Sequence, residues 1–391
     1  MSGAIDILPV TSGGELERFI RVPMRLMADD PAWVAPLMFE RREALSAKHN
    51  PFFEHAEAQF WLARRDGRDV GRISAQIDHL ARTDPDAPAG YFGMIAAEDD
   101  PAIFAALFAV AEDWLRARGR AQVLGPFNLS INEEVGLLID GFESPPMFMM
   151  GHDPRYAAAR IEALGYAKAK DVVAYISGVP VFTPGVQARL NRPLPPGVVL
   201  RAIRMNRFDE EVRNLVGILN EAWSENWGSA PVTEAETKHL GESLKLILHP
   251  RLIWFVEIDG EAAGFGALLP NLNDAIFDLG GKLLPFGWAK LLWRLKVKGV
   301  KRGRIPLMGV KRKFARDPRG AFAPFLILDA IRREGVSLGI TEAEYSWILE
   351  DNAPMRHILE SFGARIYKTY RIYGKALAWS GAGAPPQLGE A

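Results

Sequence analysis

Twice along this chain, short apolar blocks flank an Asp-Gly pair. Residues 60–63 and 70–77 bracket Asp66-Gly67, and residues 252–258 and 262–269 bracket Asp259-Gly260. This pattern predicts a β-hairpin, because a type I′ turn needs positive φ at both central positions. Each hairpin is followed by another strand-like stretch and then by helical periodicity, over 101–117 in the first case and 323–333 in the second. Pro101 opens the first helix and Gly119 lies just past its end, while Gly335 lies near the end of the second, the usual helix asymmetry. Next come predicted strands over 121–124 and 342–349. Short helices then end at Leu164-Gly165 and Phe362-Gly363, and alternating strands close each stretch over 172–176 and 366–373.

The two stretches repeat each other residue by residue. Trp61, Asp66-Gly67 and Gly71 recur as Trp254, Asp259-Gly260 and Gly264 at an offset of 193; Glu162, Gly165, Lys170 and Tyr175 recur as Glu360, Gly363, Lys368 and Tyr373 at an offset of 198. The expected fold is therefore α/β, in the mixed α+β sense: two tandem domains, each a twisted mixed sheet flanked by helices. Residues 1–178 are expected to form the first domain and residues 199–391 the second, with the five-proline stretch 179–198 as linker. A length of 391 residues suits two domains.

Composition narrows the function. With 47 Lys+Arg against 48 Asp+Glu the net charge is -1, so no global field favours nucleic acid. Cysteine is absent, which removes thiolate nucleophiles, disulfides and thiolate zinc sites. No apolar run approaches the ~18 residues that span a bilayer, and the N-terminus has no basic stretch followed by an apolar core. A cytoplasmic protein is expected, peripheral at most on the inner membrane. One local exception to charge balance stands out. Residues 282–313 carry eleven Lys or Arg and no acid, interleaved with Phe286, Trp288 and Trp293, a mixture suited to an anionic membrane surface. The run leads into Lys311, Arg316 and Arg319-Gly320-Ala321, expected to open a helix whose N-terminal N–H groups beside Arg form an anion site.

The duplicated unit, this basic strand-to-helix loop, and Asn352 followed by Gly363 together resemble the GNAT superfamily of N-acyltransferases, in tandem. The resemblance implies that the loop after a central strand holds the pyrophosphate of coenzyme A, here through Val310, Lys311, Lys313, Arg316, Arg319, Gly320 and Asn352. The chain departs from the family's pattern in places. Met355 stands for its Ala and Leu359 for its Tyr general acid, while Phe322 and Pro324 occupy positions usually held by glycine. At the corresponding place in the first unit the sequence is acidic, Glu98-Asp99-Asp100-Pro101. The acyl thioester, on coenzyme A or acyl carrier protein, is accordingly expected on the second unit, and the first is expected to be a degenerate substrate or lid domain.

Several strings narrow the resemblance to a bacterial group of tandem GNAT proteins that includes a ceramide synthase. They include Asp30-Pro-Ala-Trp33, Asn50-Pro-Phe-Phe53-Glu-His55, Gly125-Pro-Phe-Asn128, Asn226-Trp227-Gly228 and Ser346-Trp347-Ile-Leu-Glu350. This implies transfer of a long-chain fatty acyl group from acyl-CoA to the amine of a sphingoid base such as 3-ketosphinganine or sphinganine. Two alternatives remain open: a GNAT N-acetyltransferase acting on a small amine or peptide, and an inactive GNAT-like protein that binds lipid or acyl carrier. Aminolysis of a thioester needs a base for the ammonium, a stabilised oxyanion and two held partners. Candidate bases are Glu350, Glu134 and His152, and candidate substrate contacts are Asn128, Tyr156, Trp223, Asn226, Trp227 and Trp347. No metal is expected, since Glu54-His55-Ala-Glu57 lacks a third ligand at a telling spacing. His79 and Asp84 have the spacing of the glycerolipid acyltransferase motif, but Pro85 and Pro88 follow where that motif needs a helix.

Overall fold

The computed structural model describes residues 3–377; the outermost residues of both expected domains, 1–2 and 378–391, lie outside the described residues. The chain forms two compact units. In the first, β1 (Asp6–Pro9), β2 (Ala56–Arg65), β3 (Arg68–Asp78) and β4 (Ala89–Ala97) are antiparallel, and β5 (Gln122–Gly125) joins β4 in parallel. Then follow β6 (Phe127–Asn128), β7 (Glu134–Val135), β8 (Leu137–Asp140) and the start of β9 (Ala167–Ser177). Its helices are α1 (Gly13–Leu26), α2 (Met38–Ala44), α3 (Pro101–Arg116) and α4 (Ala157–Glu162). Phe104, Leu107, Phe108 and Ala111 of α3 are buried against Val70, Ile73 and Phe92 of the sheet.

The second unit contains α5 (Pro184–Leu190), β10 (Val198–Ala202), α6 (Phe208–Trp223), α7 (Glu234–Ile247), β11 (Ile253–Ile258) and β12 (Glu261–Pro270). It continues with α8 (Leu272–Ile276), α9 (Gly287–Trp293), β13 (Arg302–Val310), α10 (Arg312–Ala315), α11 (Pro318–Ala321), α12 (Ala323–Ser337), β14 (Glu342–Leu349) and α13 (Ala353–Glu360). Strands β10 to β13 are antiparallel and β14 is parallel to β13. Leu326, Ile327 and Ile331 of α12 pack with Val256, Ala263 and Ile305, whereas Val212, Leu215 and Leu219 of α6 pack with Phe255, Phe265 and Ala267. Phe255 and Val256 are neighbours on one strand and belong to different clusters, so helices cover both faces of this sheet.

The duplication persists in the backbone. Asp66 and Gly67 turn β2 into β3 at φ 51° and 77°, and Asp259 and Gly260 turn β11 into β12 at φ 52° and 83°. Each unit also has a β-bulge at the same place. Ile73 of β3 faces both Met94 and Ile95 of β4, between the pairs Arg72↔Ala96 and Ser74↔Gly93. Leu268 of β12 faces both Ile305 and Pro306 of β13, between Ala267↔Leu307 and Leu269↔Arg304. The parallel pairing stops close to each bulge, at Tyr91↔Leu124 ahead of Met94-Ile95 and at Ile305↔Tyr345 within Ile305-Pro306.

Three expectations change. The first unit includes Asp278–Lys282 and the chain from Lys368 onward, so the division is not a simple cut near residue 178. Tyr373 to Ala376 of β15 (Arg365–Ala376) pair with β5, and Thr369 to Arg371 pair with β8. The proline-rich stretch is not all linker: Pro184 starts a helix, as proline favours. The helix expected to open at Arg319-Gly320-Ala321 is a separate single turn, α11, capped by Asp317, while the long helix starts at Ala323 as its periodicity predicts. Helix α1 adds an element that apolar periodicity did not predict, although its start carries a local signal in the sequence. Its capping box joins Ser12 and Glu15, each side chain bonding the other's backbone N–H at 3.3 and 2.9 Å.

Candidate functional site

Pro306 has no N–H to give a ladder and tends to sit at bulges. Immediately before it the β13–β14 pairing ends, and beyond it the strands part. The parting leaves an open cleft lined by Ile305, Pro306 and Met308 of β13, by 345–349 of β14, by Trp223 at the end of α6 and Asn226 after it, and by Asn352 and Met355 at α13. Trp223 and Trp347 lie with ring centroids 6.2 Å apart at 42°. Asn352 caps α13, its Oδ1 accepting from the Met355 N–H at 3.2 Å. Below this mouth a buried network fixes β14. Arg304 Nε donates to Ser346 Oγ at 2.7 Å and lies 3.4 Å from Glu344 Oε1, and both Ser346 and Tyr367 donate to the Glu344 carboxylate. Arg304 belongs to the eleven-cation run 282–313, yet its side chain is only 5% exposed.

Four expected residues thus meet around one cleft: Trp223, Asn226, Trp347 and Asn352. Trp227 is half-buried and does not line it. Glu350 follows the cleft-lining Leu349, half-buried, with its carbonyl accepting from Arg356 at 2.7 Å. The sequence did not reveal Pro306, Met308 and Met355 as lining residues, although a proline inside a strand-like run is a recognisable bulge signal.

The loop after β13 carries the expected anion groups, and Lys311, Lys313 and Arg319 each face an acid. Val310 ends the strand. Lys311 and Lys313 bracket the two oxygens of Glu261 at 2.8 and 2.5 Å, which holds that carboxyl below its ordinary range. Arg319 pairs with Asp317 at 2.8 Å and Asp259 at 3.0 Å; Arg316 is exposed. Gly320 is required by close approach, since an added Cβ would lie 2.1 Å from the Phe314 carbonyl oxygen. Exposed ion pairs of this kind are worth about 0–1 kcal/mol, so an arriving diphosphate can exchange with these carboxylates.

In the first unit the equivalent wedge is filled by its own chain. Asn128 Oδ1 accepts from the Met94 N–H at 2.8 Å, at the bulge, and buried Gln76 donates to the Phe127 carbonyl at 2.5 Å. A Cβ on Gly93 would meet that same carbonyl at 1.8 Å. The start of α3 is acidic and neutralised, with Glu98 held by Arg25, Asp99 by Arg160 and Asp100 by Arg65. Asn128 also donates to Glu134 at 2.9 Å, and Glu134 pairs with Arg41 at 3.2 Å. Near them burial pushes the Asp153 carboxyl up to about 7, aided by the Glu134 charge, while its Oδ2 accepts from the Leu138 N–H at 3.0 Å. Two expectations do not survive as drawn. His152 is 1% exposed in its side chain, with Nε2 3.0 Å from Asp30, and burial holds its pKa below the ordinary value, so it is a packed group rather than an accessible base. Tyr156 donates its hydroxyl to the Ala97 carbonyl at 2.6 Å and packs on Phe104, so it is a half-buried residue tied to the edge of the first unit's core.

No protein-family model matches the chain. It is 59% identical over 375 residues to the bacterial ceramide synthase of Caulobacter vibrioides, covering 95% of this chain and 98% of that protein. It is 45% identical over 365 residues to the protein YghO of Escherichia coli K12, covering 93% of each. Among solved structures, a tandem GNAT protein from the clavulanic acid biosynthesis pathway superposes with TM-score 0.56 at 14% identity over 96% of this chain and 99% of that one. A GCN5-related N-acetyltransferase from Sphaerobacter thermophilus gives TM-score 0.50 at 15% identity, over 95% and 96%. With the split strands, the paired bulges and these relatives in view, the chain is a tandem GNAT-fold acyl-transferring enzyme and belongs to the family of the bacterial ceramide synthase.

Proposed function

We propose that the protein transfers a long-chain acyl group from acyl-CoA to the amine of a sphingoid base, 3-ketosphinganine or sphinganine, forming a ceramide-type amide. The observation that carries this reading is the open cleft where β13 and β14 part, lined by Met308, Met355, Trp223 and Trp347, together with the identity to the named synthase. The thioester carbonyl would lie in the cleft, and its diphosphate would exchange with Glu261, Asp317 and Asp259 for Lys311, Lys313 and Arg319, with Val310, Arg316, Gly320 and Asn352 completing the loop and its cap.

The chemistry balances without a covalent intermediate. The ammonium loses a proton to a base, the nitrogen lone pair attacks the carbonyl carbon, the C–S bond breaks, and the thiolate leaves to be protonated. Glu350, next to the cleft, is the base favoured by position. Glu134 with Asn128 in the first unit is the other candidate, there serving a substrate-handling role. The filled wedge and acidic helix start support assigning the thioester to the second unit. Sphingoid amines and their products are membrane lipids by their apolar chains, and the basic segment 282–313 supports action at an anionic membrane surface. Structure narrows that segment: Arg302 pairs with Asp274, Arg304 with Glu344, Arg312 with Glu225, and Lys311 and Lys313 with Glu261. The exposed remainder in the second unit is centred on 283–298.

Incubating purified protein with palmitoyl-CoA and 3-ketosphinganine tests the reading by mass spectrometry of the amide. Acetyl-CoA turning over far better than palmitoyl-CoA would replace it with a small-substrate acetyltransferase, and palmitoyl-CoA binding without product from any amine would replace it with a binding role.

A further inference from the structure

Among the described residues, sixteen large apolar side chains are exposed, and seven of them fall between Phe277 and Val297. Leu284 and Phe286 are each 79% exposed, Val297 73%, Trp293 53% and Trp288 51%. They are carried by the short segment before α9, by α9 itself and by the π-helical turn Arg294–Lys298 that prolongs it to Gly299. A patch of this kind on a water-soluble surface calls for an explanation beyond scattered exposure.

Arg294 anchors the element to α8. Arg294 Nη1 donates to the Ala275 carbonyl of α8 at 2.9 Å and stacks its guanidinium 4.9 Å above the Phe277 ring. Trp288 satisfies its indole N–H internally, on the Pro285 carbonyl at 3.1 Å, which leaves an apolar ring facing outward with no polar group to solvate. Interspersed with these rings are Lys290, Lys296 and Lys298, all exposed. In sequence the nearest acids are Asp278 and Asp317. A protein partner of ordinary composition would bring carboxylates to specific lysines, but the lysines here are spread between the rings, with long stems able to extend past them.

We infer that the segment 284–298 is an in-plane interfacial helix whose Leu284, Phe286, Trp288, Trp293 and Val297 side chains enter an anionic lipid bilayer at the level of the upper acyl chains. The lysines meet the headgroups around them. Charge complementarity selects the occupant: apolar rings alone suit any greasy face, whereas rings set among exposed ammonium groups suit a surface of anionic headgroups over hydrocarbon. This deepens the proposed lipid chemistry by naming how the enzyme reaches a membrane-dissolved amine, and it rests on that reading only for its purpose, not for its test.

The absence of cysteine makes the test direct. Phe286→Cys and Trp293→Cys, each labelled with an environment-sensitive dye, are mixed with phosphatidylglycerol-containing vesicles whose acyl chains are brominated. Lys238→Cys on α7, also exposed, serves as control. Expected are a blue shift and bromine quenching at positions 286 and 293, none at 238, and roughly fivefold weaker vesicle binding for each of Lys290, Lys296 and Lys298 changed to Gln. Co-sedimentation without quenching at 286 and 293 would overturn insertion and leave attachment by charge alone. A blue shift without lipid, accompanied by a doubled mass in light scattering, would overturn it in favour of a second copy covering the face. Failure of all vesicle binding would also overturn it. Phe286→Ser with Trp293→Ser should keep full turnover on detergent-dissolved substrates, so loss of insertion and loss of the acyl-transfer reading give different results.

Discussion

Arg304 shows how far a residue's surroundings can depart from its sequence neighbourhood. It lies in a run of eleven cations, yet it is buried beneath the cleft against Glu344 and Ser346. Strand β13 is covered on both faces, so Arg304 is buried along with its neighbours Gly303 and Ile305, and the charge run masks that burial. Removing one partner of a buried ion pair strands the other's charge and costs about 3–5 kcal/mol. Glu344→Gln is therefore expected to lower stability by that order in urea unfolding and to disturb Ser346 at the cleft, whereas replacing both partners with apolar side chains of similar volume should restore most of the stability. Asp153 gives a second residue-scale expectation. Its carboxyl titrates near 7 in the fold against 3.8 ordinarily, so between those values the folded state keeps a proton that the unfolded chain releases. The stability this group contributes is fully present below about pH 4 and is lost as pH rises through 7. Asp153→Asn, which can still accept from Leu138, should flatten the fall in urea midpoint between pH 5 and pH 8; an unchanged fall would place the pH dependence elsewhere. Nothing in the sequence signalled this group, because the raising comes from burial beside Glu134.

At the scale of elements, the hairpins, α3, β14 and the closing strands were legible because each has a local cause: an Asp-Gly turn, a proline start, an alternating face. The loop between β13 and α12 was legible only in composition. Its cations were expected to await an anion, and instead Glu261 of β12, fifty residues earlier, already bridges Lys311 and Lys313. Long-range pairing of this sort leaves no mark on spacing. If the diphosphate takes the place of that carboxylate, Glu261→Gln removes a competitor and should lower the KM for acyl-CoA, by up to about fivefold given the ~0–1 kcal/mol worth of exposed pairs, with kcat little changed. Steady-state kinetics at fixed amine concentration would measure it. A raised KM would mean that Glu261 positions the lysines rather than competes for them.

For the whole molecule, the duplication suggests that each copy is self-contained, and here the inference from repetition fails for a physical reason. A parallel pair such as β4–β5 needs a neighbour on its far side, because an unpaired central strand would leave its N–H and C=O groups exposed. In the first unit that neighbour is β15, from the far end of the chain. Tyr373 is fully buried there in the core with Leu107 and Phe108, and Lys368 donates to the carbonyls of Gly141 and Ser144. Repeats identify copies of a unit, but they do not say which copy supplies a given strand, since the two closing strands have nearly the same pattern. Residues 1–178 expressed alone would therefore lack an interior strand and several buried side chains, including Tyr370, Ile372 and Tyr373. The fragment is expected to lose its cooperative urea transition and near-ultraviolet dichroism and to regain both when a peptide spanning 365–377 is added. Cooperative unfolding of the fragment without the peptide would show that the first copy closes its sheet with its own residues, and that the last strand of the chain is not needed to build it.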